Sequence, residues 1–395
     1  MQALNNLKVL DLSRYIAGPN CGMILGDMGA DVVKVESPGR GEETRLLPPK
    51  IGDQGIYTLV YNRNKRAMTL NFRSEEGQKL LRELAAEADI VIENFRPGTL
   101  EKMNCDWESL RAINERLVLV RISGYGQTGP WSHKPCFDAI AQAGGGLMEL
   151  TGQEGGAPMP AGTFIVDYVT SLYACIGALS AIQARHATGK GQLVDLAMLD
   201  CSISLLMTAL PEFALTGREL SRVGSRDRYS TPAANFQCSD GRWVHINAGS
   251  DSLFPRFARA VGQEHLLEDE RFATNAARME RIEEVEAIVS AWTAERGADA
   301  VLEAMDAAGI PCARVDTIGE IFSNEQLRAR DQIMQVSNPA YGTLSMAGIP
   351  LRLSETPGAV RHAPPVVGQH TDEVLADWLD YDDGTIADLR QNGAI

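Results

Sequence analysis

Along the first 125 residues, short apolar runs alternate with amphipathic stretches, a pattern that predicts βαβ units and a parallel sheet. Residues 8–12, 31–36, 89–93 and 117–123 read as strands. Helices are expected over 22–28, 75–88 and 107–113, the second carrying Leu80, Leu81, Leu84 and Ala85 at helical spacing. The first strand-to-helix turn, IAGPNCGMILGDMGA, lacks the glycine spacing that brings a backbone against a pyrophosphate, which argues against a dinucleotide fingerprint. A long helix over 167–185 ends at Gly189, then an apolar strand over 193–198 leads into a helix over 199–215.

Residues 217–232 are polar and rich in Arg, Gly and Ser, and read as a linker, a solvated basic arm rather than a phosphate site. Beyond it, NFQCSDGRWVHINA alternates around Asp240–Gly241 as a β-hairpin. Helices near 251–261, 280–294 and 298–308 and a strand at 312–315 complete a small α/β domain over 233–325. Residues 326–395 return to short strands at 334–337 and 343–347 and end in an amphipathic helix over 371–379, with Thr371 as its cap and Asp372 and Glu373 in the first turn. The fold class is therefore α/β, with a first domain over 1–216, and no internal repeat or low-complexity segment interrupts it.

A chain of 395 residues predicts two to three domains and a sizeable core. The 52 acidic residues outnumber 37 basic ones, and a formal charge of −15 repels nucleic acid and anionic membranes, so any phosphate ligand needs a local basic pocket. No apolar run has the form of a signal peptide or reaches the length of a transmembrane helix, and the protein is expected to be soluble and cytoplasmic. Seven scattered cysteines without a CxxC pair, and six dispersed histidines, predict reduced thiols and no metal site.

Several segments have the residue types of a site. Asp167 precedes an apolar helical face. One reading makes it an N-cap; the other makes it a nucleophile, kept ionised by a helix amino end whose free N–H groups stabilise an oxyanion. Arg63, Lys65, Arg66 and Arg73 fall close together, and Asn94, Phe95 and Arg96 follow a strand, where open α/β sheets bind ligands; a solvated basic face explains the cations equally well. Gly144, Gly145 and Gly146 permit close approach of a ligand or of another backbone, and SGYGQTGPW has the form of a crevice loop.

Taken together, LDLSRYIAGPNCGMILGDMGADVVKVESPGRGEETR, NRNKRAMTLNF, ADIVIENFRPGTLEKM, ISGYGQTGP, FDAIAQAGGG, the Asp167 segment and GKGQLVDLAMLD resemble the family III CoA-transferases. The resemblance runs from residue 7 to about 216 and resumes at GIPCARV and GQHTDEVL. It implies a Rossmann-like large domain built from both chain ends, a small domain and an interlocked homodimer, with CoA held in the large domain. It also implies that Asp167 is the catalytic aspartate and that CoA contacts fall at Tyr15, Arg40, Leu70, Arg73, Asn94, Phe95, Lys102, Lys134, Asp138 and Met198. Where the oxalate-specific member carries four glycines this chain has NAGSDSLF, which argues against a glycine lid and against oxalate as acceptor.

The implied reaction moves CoA between carboxylic acids through aspartyl anhydride and aspartyl-CoA thioester intermediates. A CoA thioester is a substrate, and no cofactor is permanently bound. Succinyl-CoA or another dicarboxylyl-CoA is the expected donor, with Arg14 and Arg45 as spare cations for a second carboxylate. Two alternatives stay open. A racemase of the same family would need a proton carrier where this chain has Phe137, and a non-catalytic CoA-binding protein would keep the pocket without using Asp167. Neither nucleic acid nor membrane is an expected partner.

Overall fold

A computed structural model describes residues 1–395, which form two compact units. The first comprises residues 1–148, 160–217 and 327–395; the second comprises 149–159 and 218–326.

In the first unit, strands β1 (Lys8–Asp11), β2 (Asp31–Glu36), β3 (Lys65–Thr69), β4 (Ile90–Glu93), β5 (Val118–Ser123) and β6 (Leu193–Ala197) make one sheet. Every neighbouring pair is parallel, in the order β3-β2-β1-β4-β5-β6. The order reverses between β1 and β4, which opens a crevice outside the carboxyl ends of the strands. Helices α1 (Ala17–Asp27), α2 (Ile56–Tyr61), α3 (Glu75–Glu87), α4 (Trp107–Ile113), α5 (Asp138–Gly144) and α6 (Ile165–Thr188) alternate with these strands.

Both sheet faces are covered, which is why the central strands read as short, largely apolar runs. On one face Leu80, Leu81 and Leu84 of α3 join Leu10, Val33, Val91 and Leu119. On the other, Cys21 and Leu25 of α1 and Ala174 and Ala178 of α6 join Val9, Val32, Ile90 and Val120. β3 is a strand that hydrophobic patterning passes over, because it opens on Lys65 and Arg66.

Helix α6 corrects the expectation that no segment is apolar and long enough to cross a membrane, since its 24 residues meet that requirement by length and composition. One side of it lies on the sheet, while Leu172, Tyr173, Ile176 and Leu179 on the other side are exposed. The expected single helix over 199–215 is broken into α7 (Met198–Ile203), a 3₁₀ turn at Ser204–Leu206 and α8 (Ala209–Thr216).

The second unit is built on β7 (Ala233–Gln237) and β8 (Trp243–Asn247), a hairpin closed at Asp240–Gly241, with β9 (Cys312–Arg314) antiparallel to β8. Helices α9 (Phe254–Ala260), α10 (Ile282–Ala294) and α11 (Ala298–Ala307) bury Phe257, Val289 and Val301 against it. Residues 218–232 belong to this unit and are anchored in it, not a solvated arm: Arg226 pairs with Glu286 (2.8 Å) and Glu154 (2.7 Å), and Arg222 pairs with Glu149 (2.7 Å).

The chain then returns to the first unit with the hairpin β10 (Ile333–Asn338) and β11 (Gly342–Ala347), followed by α12 (Thr371–Leu379) and α13 (Asp383–Gln391). Val374, Leu375 and Trp378 of α12 complete the core beside Leu70. Thr371 is the first helical residue rather than the cap: its hydroxyl donates to the Gly368 carbonyl (3.0 Å) and accepts the Thr69 N–H (3.2 Å), tying α12 to the end of β3.

Candidate active site

A cavity of about 690 Å³ opens outside the carboxyl ends of β1, β4, β5 and β6. Its first wall is the turn that follows β1. There Asp11 accepts the Ser13 N–H (3.0 Å), the Lys34 ammonium donates to the Ser13 carbonyl, and Glu42 accepts the Tyr15 N–H (3.1 Å). Asn94, just past β4, accepts the Arg14 N–H (2.8 Å) and donates to the Arg14 carbonyl (2.6 Å). Tyr15 is thereby held at φ +66°, a left-handed backbone that costs a non-glycine residue energy, and its ring meets Phe137 edge-on at 5.5 Å. Gly18 lets α1 begin against this turn, because a Cβ there would lie 2.2 Å from the Ser13 Cβ.

Beneath the turn is a buried ionic cluster. Lys65 pairs with Asp11 (2.7 Å), Lys34 with Glu42 (3.6 Å) and Arg45 with Glu36 (2.6 Å), every one of these side chains being buried. Burial alone would raise the Asp11 pKa, but Lys65 and Lys34 outweigh it and hold the carboxyl below its ordinary range. Arg45 is therefore not a spare cation. Arg63 likewise binds Asp27 (2.7 Å), and Arg66 binds Asp31 (2.7 Å), Glu373 (2.9 Å) and Asp377 (2.7 Å). These three cations of the basic stretch are structural, neither a solvated face nor a phosphate cradle. Arg14 does line the cavity, where it pairs with Glu43 (2.8 Å) and its guanidinium lies over Phe95 at 5.4 Å.

The opposite wall holds Asp167, half-buried in the first turn of α6. It is not the N-cap. That position is Phe164, which provides no side-chain cap, and the capping carboxylate comes from α5: Asp138 accepts the N–H groups of Val166 (2.8 Å) and Asp167 (3.1 Å). Those N–H groups are thus not free to stabilise an oxyanion. Burial, with a smaller contribution from the Asp138 charge, pushes the Asp167 pKa up to about 7, and no cation pairs with it. Asp11 and Asp167 sit in opposite electrostatic environments.

Tyr15, Asn94, Phe95, Lys134, Asp138 and Met198 line this one cavity together with Asp167. Lys134 lies over the Trp131 ring at 4.3 Å. Leu70 is wholly buried in the core, while Arg40, Arg73 and Lys102 are exposed and lie outside the cavity wall. Tyr57 and Phe164, packed edge-on at 6.0 Å, line the cavity unforeseen, and no local pattern marks either ring. Gly145 serves helix packing, since a Cβ there would lie 2.3 Å from the Ser202 hydroxyl oxygen. No group of three His, Cys, Asp or Glu side chains is arranged to hold a metal ion.

Residues 4–371 match the sequence profile of CoA-transferase family III. The succinyl-CoA–D-citramalate CoA-transferase of Chloroflexus aurantiacus is 38% identical over 99% of this chain and 98% of its own length. The beta subunit of succinyl-CoA–L-malate CoA-transferase from the same organism is also 38% identical, over 99% of this chain and 98% of its own. Among solved structures, a CAIB/BAIF family protein from Brucella suis superposes with a TM-score of 0.85 at 35% identity, covering 95% of this chain and 99% of that one.

Proposed function

The chain belongs to CoA-transferase family III, and from that membership we propose that it transfers CoA from succinyl-CoA to a small dicarboxylate through covalent intermediates on Asp167. The observation that carries the proposal is a carboxylate without a cationic partner in the wall of a large cavity at the carboxyl ends of the sheet. Both relatives named above pair succinyl-CoA with a dicarboxylic acid.

In this reading the Asp167 carboxylate attacks the thioester carbonyl, the C–S bond breaks, and a mixed anhydride and CoA thiolate form. The thiolate then attacks the aspartyl carbonyl, releasing the donor acid as a carboxylate and leaving aspartyl-CoA thioester. The acceptor carboxylate attacks that thioester, giving a second anhydride, and the thiolate takes the acceptor acyl group while Asp167 returns as carboxylate. No net proton moves, so the protein's work is positioning and water exclusion. Tyr15, Asn94, Phe95, Lys134 and Met198 would hold CoA, Lys134 by charge. Ile16, the N-cap of α1, supplies no side-chain cap and lines the cavity with Ala17; Pro19 has no N–H and the Asn20 N–H is bonded to the Ile16 carbonyl (2.8 Å), so Ala17 and Gly18 are the first-turn residues whose N–H groups would supply polarity for an acyl oxygen.

We also propose that a second copy of the chain covers the exposed apolar side of α6; Leu210 and Phe213 of α8 are exposed as well. Light scattering across a dilution series should show a dimer that persists at nanomolar concentration, and a reversible monomer there would contradict an interlocked pair. The transfer itself is tested by a panel of acyl-CoAs and free acids read by mass spectrometry. Enzyme-dependent appearance of a new dicarboxylyl-CoA from succinyl-CoA is expected. Incorporation of α-deuterium into a 2-methylacyl-CoA without transfer would instead support the racemase reading, which Phe137, a ring with no proton to exchange, disfavours.

A further inference from the structure

Asp138 is the first residue of α5 and is buried. One of its carboxylate oxygens accepts the Val166 and Asp167 N–H groups at 2.8 and 3.1 Å, and the other accepts the side-chain amide N–H of Gln142 one helical turn on. Gln142 is buried as well, and its carbonyl oxygen accepts the Ala161 N–H at 2.9 Å. Three backbone N–H groups on the approach to and start of α6 are therefore held from α5, and one of them belongs to Asp167 itself.

From this geometry we propose that Asp138 and Gln142 form a clamp that orients Asp167 for attack and faces it with a negative charge. The inference rests on Asp167 being the nucleophile. Both carboxylate oxygens of Asp138 and both polar atoms of the Gln142 amide are engaged in these hydrogen bonds, so both act as positioning residues. The division of labour is chemical: Asp138 supplies both orientation and charge, while Gln142 supplies orientation alone. Reacting groups displaced by about 1 Å lose roughly 100-fold in rate, so a helix start fixed by three hydrogen bonds matters to the chemistry.

The charge acts on proton affinity. Asp167 is already hard to ionise because its half-buried carboxyl is poorly solvated, and the Asp138 carboxylate adds to that. The other titratable groups around it are Cys136 of the β5–α5 loop, Tyr57 and Tyr61 of α2 and Tyr168 of α6; Tyr61 and Tyr168 bond each other at 2.7 Å. Arg14, Glu43, Arg96 and Lys134 also line the cavity, and none of them forms an ion pair with Asp167. Asp138 is thus the charge whose removal moves the ionisation of Asp167 downward.

The test measures the single-turnover rate of Asp167 acylation by succinyl-CoA against pH, together with the affinity for free CoA, in Asp138→Asn, Asp138→Ala and Gln142→Leu. Asp138→Asn keeps an acceptor for the two N–H groups and loses the charge, so its acid limb should move down by roughly one pH unit. Gln142→Leu keeps the charge and loses the Ala161 tether, so its rate should fall about tenfold or more with the limb unmoved. Asp138→Ala should show both effects, and if it fails to fold, the other two variants decide. Free-CoA affinity should stay within about twofold in Gln142→Leu, whose side chain lies outside the cavity wall. An acid limb unmoved in Asp138→Asn overturns the clamp, as does a tenfold loss of free-CoA affinity there, which would make Asp138 a CoA ligand. Absence of any acyl-Asp167 in the parental protein is a separate result that removes the nucleophile and the clamp together.

Discussion

Asp11 and Asp167 are aspartates of the same unit, both withdrawn from bulk water, and they have been given opposite chemistry. Around Asp11 the fold places two ammonium groups, and the carboxyl is held below its ordinary range in spite of burial. Around Asp167 it places another carboxylate and no paired cation, and burial pushes the pKa to about 7. A paired buried carboxylate has its charge satisfied and is inert. An unpaired one stays reactive near neutral pH, its solvation replaced by the walls of a cavity. The basic residues near Asn64 act on the first case: Lys65 lies under the turn that sets Tyr15, and Arg63 fixes Asp27.

The largest expected effect separates the two sites by activity. Asp167→Ser should lower CoA transfer by about 1000-fold or more, because Ser cannot form the anhydride, while chemical unfolding and dimerisation stay near the parental values. A comparable loss of transfer at unchanged stability on altering Asp11 would erase the contrast. Next in size is stability. Lys65→Met should cost about 3–5 kcal/mol in denaturant unfolding by leaving Asp11 buried without its bonded ammonium and with only the unbonded Lys34 charge nearby, and adding Asp11→Leu should recover much of that loss.

The pH dependence of stability sharpens the comparison further. Since folding raises the Asp167 pKa above the unfolded value of 3.8, ionisation of this group weakens the fold as pH rises, a cost absent below about pH 4 and complete above about 7. Asp167→Asn should therefore be more stable than the parent at pH 8 and no different near pH 4, as read by thermal unfolding. Asp11 has the opposite sign: its lowered pKa contributes stability present above the unfolded value and lost as pH falls through the folded one. The smallest effect is expected at Arg66→Ala, whose acidic partners are partly exposed, at about 1 kcal/mol or less in the same denaturant titration.

Much of the sheet was legible in the sequence because a parallel strand buried on both faces leaves a short, largely apolar run, as at Val118–Ser123, interrupted by Arg121, and Asp31–Glu36, interrupted by Lys34. β3 was not legible: Lys65 and Arg66 are the signature of a loop until the buried acids that receive them are known, and those acids come from β1, β2 and α12. Pattern likewise could not show that α6 is capped by Asp138, which is distant in sequence and meets Val166 and Asp167 only through folding. Asp167, Asn94, Phe95 and Met198 could be gathered into one site by resemblance to a family, and the cavity holds them together. Tyr57 and Phe164 carried no signal, because an aromatic ring beside a helix start is as much a core residue as a cavity wall.

The central claim is that Asp167 carries the acyl group. The most direct measurement is mass spectrometry of the peptide containing Asp167 after incubation with succinyl-CoA and trapping with hydroxylamine or borohydride. A mass change on Asp167 that requires the acyl-CoA and disappears in Asp167→Ser is the predicted result. A freshly prepared Asp167→Ser protein that exchanges CoA at the parental rate, with no adduct on this peptide in either protein, would contradict the account.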